Sequence, residues 1–131
     1  MAINGFAFTK ILVSDLAKLE RFYIDGLGLG LVTRIAVDDA EWELDETILS
    51  VGSVPGSTLN LVQYRHKPAP EPGEAVIGLS VTGIAKVVDT AVAAGGSIHL
   101  PVQHLPDHGV SLAYVRDPDG HLIELIEPLS D

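Results

Sequence analysis

Apolar positions change period several times along the chain, and each change marks an element. Phe6 to Val13 is a short apolar run of strand length, and Ser14-Asp15 after it offers a helix N-cap. Leu16, Leu19, Phe22, Tyr23 and Leu27 then fall on one face at helical spacing, with Gly26 and Gly28 as the stop. Leu29 to Val37, Thr47 to Val51 and Thr58 to Tyr64 read as strands, separated by turn signals at Asp38-Asp39 and Val54-Pro55-Gly56-Ser57. The first half is therefore βαβββ. Residues 65–74 (RHKPAPEPGE) hold three prolines and no apolar period, which predicts a semi-rigid connector.

The same order follows the connector. Val76 to Val81 reads as a strand, Ile84, Val87, Val88, Ala91 and Val92 mark an amphipathic helix, and Gly95-Gly96 ends it. Ser97 to Val102, Val110 to Arg116 and His121 to Glu127 read as three more strands, the last two joined by the Asp117-Pro118-Asp119-Gly120 turn. A shift of 68 positions lays Val13-Ser14-Asp15-Leu16 on Val81-Thr82-Gly83-Ile84, and Gly28 on Gly96. A shift of 64 lays Leu59-Asn60-Leu61-Val62 on Ile123-Glu124-Leu125-Ile126. Half the chain is thus a copy of the other half, two supersecondary units rather than a solenoid.

Composition narrows the function. At 131 residues the chain is long enough for one domain with its own core. Eighteen acids against eight bases give a net charge of -10, which argues against nucleic acid as a partner, since no basic surface would release counterions from a phosphate backbone. No cysteine means no disulfide, no thiolate metal site and no cysteine nucleophile. Met1-Ala2-Ile3-Asn4-Gly5 lacks a basic, apolar leader, and no apolar run nears the ~18 residues of a membrane span, so the expectation is a soluble cytoplasmic protein without a membrane partner.

The βαβββ-βαβββ order, the opening VSDLAKLERFYIDGLGL and the closing YVRDPDGHLIELIEP resemble the vicinal oxygen chelate superfamily, which includes glyoxalase I, extradiol dioxygenases and bleomycin- and fosfomycin-resistance proteins. The resemblance implies an α+β fold in a single domain over 1–131: tandem modules at about 5–64 and 75–128, curled into a cup-like, partly closed β-barrel around a cavity. It also implies a homodimer. In metal-dependent members four ligands lie on the first and fourth strands of each module. By resemblance those positions are Phe8, Asn60, Val76 and Glu124 here, and only Glu124 is a usual ligand. The repeat pairs the same residues, Phe8 with Val76 and Asn60 with Glu124. A phenyl ring and an isopropyl group donate nothing to a metal, so the expectation is no metal and no other cofactor.

If those four residues face the cavity, period-2 alternation adds Phe6, Lys10 and Leu12; Thr58, Val62 and Tyr64; Gly78 and Ser80; and Leu122 and Ile126. The result is a mostly apolar cup with a few polar groups, the make-up of a small-molecule site. Glutathione-dependent glyoxalases carry a basic residue near the position of Leu12, which counts against a glutathione conjugate. Glu124 interrupts Leu122-Ile123 and Leu125-Ile126, so its carboxyl needs a partner. Two readings stay open: a general acid or base, or a family remnant satisfied by Lys10, Asn60 or a backbone donor. Asn60 is either a partner of Glu124, a group that orients a ligand carbonyl, or a satisfied strand residue; Tyr64, Ser80 and Tyr114 offer hydroxyls or simply pack.

His99, His104 and His108 lie within ten residues, but prolines break any helix that would bring them onto one face. His108, expected to begin a strand at the cavity mouth, is the second acid-base candidate. His121, Asp117 and Asp119 read as parts of the turn. Trp42 sits among Asp38, Asp39, Glu41, Glu43, Asp45 and Glu46, either as a lid that attracts a cationic or aromatic ligand or as part of an edge hairpin kept soluble by its charges. Three functions remain: a metal-independent lyase, isomerase or cyclase acting on a small hydrophobic carbonyl or aromatic compound; a module that sequesters an aromatic or cationic drug or metabolite; and a metal-dependent enzyme with displaced ligands such as His104 or His108.

Overall fold

The computed structural model describes residues 2–38, 43–53 and 57–129. The elements are β1 (Thr9–Leu12), α1 (Leu16–Arg21) running into a π-helical turn (Phe22–Gly26), β2 (Gly30–Val37), β3 (Leu44–Ser50), β4 (Thr58–Tyr64), β5 (Val76–Ser80), α2 (Ile84–Ala93), β6 (Ser97–Leu105), a 3-10 turn (Pro106–His108), β7 (Val110–Arg116) and β8 (Leu122–Pro128). Among the described residues hydrogen bonding defines two four-stranded sheets, in the orders β1-β4-β3-β2 and β5-β8-β7-β6. In each sheet the first and last strands of a module pair in parallel, and the other pairs are antiparallel. A parallel pair needs a long crossover, and the helix after the first strand begins it.

The described residues divide into two compact units. One comprises Met1–Glu20 and Gly28–Pro70, the other Arg21–Leu27 and Glu71–Asp131. In the first, Leu49, Leu59 and Leu61 are fully or almost fully buried on the face of the sheet that carries α1. In the second, Ile123, Leu125, Val115 and Ala113 are fully buried, as are Phe22 and Tyr23. Gly96 directly precedes β6 here, and a Cβ on it would come within 2.5 Å of the Phe22 ring and 2.8 Å of the Arg116 carbonyl, so no larger residue fits without a shift.

Several expected boundaries move. The helix expected through Leu27 changes to π geometry at Phe22, a wider turn that leaves Phe22, Tyr23 and Gly26 all buried. β3 begins at Leu44 rather than Thr47, so Asp45 and Glu46 belong to an inner strand and not to an edge hairpin. β6 runs on to Leu105 through Pro101, which an edge strand tolerates because one side of its backbone needs no partner. His108 closes a 3-10 turn at the tip of the β6–β7 hairpin instead of opening a strand, because Gly109 adopts a left-handed φ of 70° there. The described helices include none long and apolar enough to cross a membrane.

Candidate functional site

In the first unit, alternation along β4 sends Gln63 toward α1 and Asn60 to the opposite face. The α1 side is held by bonds from the sheet to the helix: Gln63 Oε1 accepts from the Leu16 N–H at 2.7 Å, and Thr47 Oγ1 and the Arg34 guanidinium donate to Glu20, the former at 2.7 Å. On the opposite face, Lys10 of β1 and Ile48 of β3 flank Asn60 in register, and Glu46 lies one step along from Ile48. Asn60 Nδ2 donates to Glu46 Oε2 at 2.8 Å. Lys10 Nζ stands 3.6 Å from the same oxygen and 5.2 Å from the centre of the Phe8 ring. Asn60 and Glu46 are both buried, and Asn60 Oδ1 has no hydrogen-bond partner. An unpaired buried acceptor costs about 1–3 kcal/mol.

The acids of the acidic segment that lie among the described residues are paired. Arg65 bonds Asp38 at 2.6 Å and Asp45 at 3.0 Å, which lowers the Asp45 carboxyl below its ordinary range. His66 meets Glu43. A groove of about 630 Å³ beside α1 is lined by Asp15, Glu20, Arg34 and Asp45 among others. There the hydrogen bond from Arg34 holds the Glu20 carboxyl below its usual range, against the opposing effect of its burial. Trp42, the proposed lid residue, lies outside the described residues.

The second unit arranges its polar groups otherwise. Leu122, Glu124 and Ile126 of β8 face away from α2, with Val76, Gly78 and Ser80 of β5 beside them in register and Tyr114 of β7 opposite Glu124. Tyr114 Oη donates to Glu124 Oε1 at 2.6 Å, and that bond, with burial second, raises the phenol above its ordinary range. The His99 ring lies edge-on to Tyr114 at 6.3 Å. Glu124 thus finds its partner in Tyr114, whereas Lys10 and Asn60, expected to satisfy it, are engaged by Glu46.

Asp117, assigned to the turn by its sequence, is a deeper element than that. Its Oδ1 accepts from the Asp119 and His121 N–H groups, both at 2.9 Å, and its Oδ2 accepts from Tyr23 Oη at 2.7 Å and lies 2.8 Å from His121 Nδ1. Burial, then the Asp117 charge, push the Tyr23 phenol far above its ordinary range. His104 Nδ1 pairs with Ser111 Oγ at 2.6 Å, and His108 sits on the hairpin tip, six residues before Tyr114 along the chain. Among the described residues no group of three His, Asp or Glu side chains is placed to hold a metal. Phe8, Val76 and Ser80 are exposed, Leu12 and Tyr64 half-buried, and Val62 fully buried, with Lys67 Nζ 4.3 Å over the Tyr64 ring.

A family model described as the Glyoxalase/Bleomycin resistance protein/Dioxygenase superfamily matches residues 5–125. The chain belongs to that superfamily. A probable lactoylglutathione lyase from Vibrio cholerae is 30% identical over 130 residues, covering 97% of this chain and 93% of the Vibrio protein. Among solved structures, a glyoxalase family protein from Bacillus cereus superposes with a TM-score of 0.79 at 22% identity over 99% of both chains. A glyoxalase I variant from Zea mays gives 0.78 at 21% identity, over 94% of this chain and 47% of that one. At these identities the structural likeness speaks for the fold, and superfamily membership leaves the chemistry to the side chains.

The residue that sequence reading missed is Glu46. Its signal was available: Leu44, Glu46 and Ile48 continue the alternation of β3 toward its start. Three acids in four residues from Glu43 made the segment read as a lid or a charged edge hairpin, with the strand beginning only at Thr47.

Proposed function

We propose that this superfamily member binds a small, largely hydrophobic carbonyl or aromatic compound on the sheet faces turned away from α1 and α2, without the superfamily's metal, and that Glu124 acts on it as general acid or base. The carrying observation is the Tyr114–Glu124 pair, a carboxylate oriented by a 2.6 Å hydrogen bond on a face it shares with Leu122, Ile126, Val76 and Ser80. Such a carboxylate can take a proton from a substrate carbon or hydroxyl and return it to another atom. That is a lyase or isomerase step needing no oxidant, and Tyr114 would keep the accepting oxygen aimed. The similarity to probable lactoylglutathione lyases agrees with that reaction class.

The donor set does not fit the superfamily's metal. Phe8 and Val76 carry no donor atom, Asn60 has turned its amide N–H to Glu46, and Glu124 is held by Tyr114. A carboxylate with one carboxamide oxygen is a poor site for Zn²⁺, Ni²⁺ or Fe²⁺. His108, on its hairpin tip, takes no part in this reading. The second reading, a non-catalytic module that sequesters an aromatic or cationic compound, is favoured by Lys10 standing over Phe8 beside Glu46.

One set of measurements separates these. A metabolite library screened by thermal shift finds ligands, since anything that binds the native state stabilises it. For a ligand that is turned over, Glu124→Gln should cut kcat by about 10²–10⁴ with binding retained. Unchanged turnover removes Glu124 as catalyst, and ligand binding without any turnover leaves the sequestering module. Stoichiometric Zn²⁺, Ni²⁺ or Fe²⁺ in the purified protein would overturn metal independence. The proposal extends to a homodimer, in keeping with half-exposed Phe8, Val76 and Val32; sedimentation at the mass of a single chain would refute it.

A further inference from the structure

We infer that Asn60, Glu46 and Phe8 form a subsite for the cationic nitrogen of a ligand, a primary ammonium or an amidinium, and that Lys10 is the protein's own occupant of that place. The inference rests on the proposal that the face turned away from α1 binds ligand, and it names the group this part of the face would take.

Three features favour a positive nitrogen there. Glu46 supplies a carboxylate, 7% exposed at its side chain, fixed by the 2.8 Å bond from Asn60. Phe8 supplies a ring face, toward which a cation is drawn by the ring quadrupole. Asn60, 4% exposed, supplies a carbonyl oxygen with no partner. Rotating the amide by half a turn does not relieve that oxygen, because it would then face the Glu46 carboxylate while the N–H groups turned away. The arrangement therefore holds an enclosed acceptor that no described group of the chain satisfies, and a cation that displaces Lys10 and reaches it would supply the missing donor.

Lys10 uses two of the three features and neglects the third. Its Nζ is 3.6 Å from Glu46, beyond hydrogen-bond length, and 5.2 Å from the Phe8 ring centre, and it makes no bond to Asn60. Its side chain is 38% exposed, so the ammonium can swing into water on its flexible stem. A ligand ammonium or amidinium has enough N–H groups to bond Glu46 and Asn60 together, which a cation reaching in from β1 does not do. The overall charge of -10 attracts the same class of ligand from solution.

The test titrates the whole chain with benzamidinium, benzylammonium, benzyl alcohol and benzoate, watching backbone and side-chain amide signals by NMR. The two cations should move the Asn60 side-chain amide signals, with benzyl alcohol and benzoate at least about tenfold weaker. Lys10→Met, on the exposed rim, should tighten benzamidinium several-fold by removing its competitor. Glu46→Gln, which keeps an acceptor for Asn60, should weaken it about tenfold or more. Benzoate binding in preference to benzamidinium would make Lys10 an anion site and overturn the inference. So would an unchanged or weakened benzamidinium affinity in Lys10→Met, which stays informative even if Glu46→Gln fails to fold. Asn60 signals that stay still while those of Tyr114 and Glu124 move would sink this subsite and leave the proposed function standing. Silence on both faces counts against both.

Discussion

The two modules treat the same strand positions in opposite ways on one face and in the same way on the other. Toward the helices they agree. Gln63 of β4 and Glu127 of β8, 64 positions apart, both reach the start of their module's helix, Gln63 accepting from Leu16 N and Glu127 from Ile84 N. Away from the helices they differ. The first unit carries its buried carboxylate on β3, with an amide on β4 and a lysine beside it; the second carries a carboxylate on β8, with a phenol on β7. The helix faces are constrained by backbone groups that any copy of the unit must satisfy. The other faces are free of that demand, so it is there that the chemistry of the two halves has separated.

The turn before the last strand of each module carries the largest difference. Asp117 accepts from two backbone N–H groups and from Tyr23, and its side chain is fully buried. The residue 64 positions earlier is Ser53, which is exposed. Asp117→Ala should therefore lower the unfolding free energy in urea by about 3 kcal/mol, because it strands a buried phenol and two backbone donors at once. Ser53→Ala should stay within about 0.5 kcal/mol, as surface substitutions do. Comparable losses for the two would show that the asymmetry of the turns is one of shape alone.

The residues that were legible in the sequence are those whose spacing answers to the backbone. Thr58–Tyr64 and Val110–Arg116 stand where their apolar runs placed them, and Asp15 caps α1 as expected, accepting from Lys18 N at 3.2 Å. Glu46 and Tyr114 show the other side of this. Each was visible as a residue type, yet its partner lies on a neighbouring strand, and single-sequence patterns fix which face a residue takes more readily than which residue it meets. Tyr23 is the extreme case. Helical spacing marked it as core, but its hydrogen bond to a carboxylate 94 positions away has no local trace. Pairing Asn60 with Glu124 through the repeat was sound as a statement of position; it misjudged chemistry, since each of the two makes its side-chain hydrogen bond within its own module.

The smallest expected effect sharpens the one point on which the modules agree. Gln63 and Glu127 do the same geometric work, but only Glu127 is charged. Its carboxylate accepts from Ile84 N at 3.0 Å and Gly83 N at 2.6 Å, and those bonds lower it from its ordinary value of 4.5. A carboxyl with a depressed folded value favours the native state fully above its unfolded value, and that contribution disappears as pH falls through the folded one. Glu127→Gln makes the second cap resemble the first. At pH 7 the variant should melt below the wild type, since a carboxylate at a helix N-terminus is favoured over a neutral amide. The gap should close as pH falls from the carboxyl's unfolded value through the lowered folded one, where the wild-type side chain takes up its proton. Glu20 and Asp45, whose values are also lowered, titrate in both proteins and cancel in the difference. Melting curves at pH 7 and pH 3 suffice. A gap of equal size at both would mean that Glu127 caps α2 by shape and hydrogen bonding alone, as Gln63 does for α1, and the helix faces of the two modules would then be alike in energy as well as in geometry.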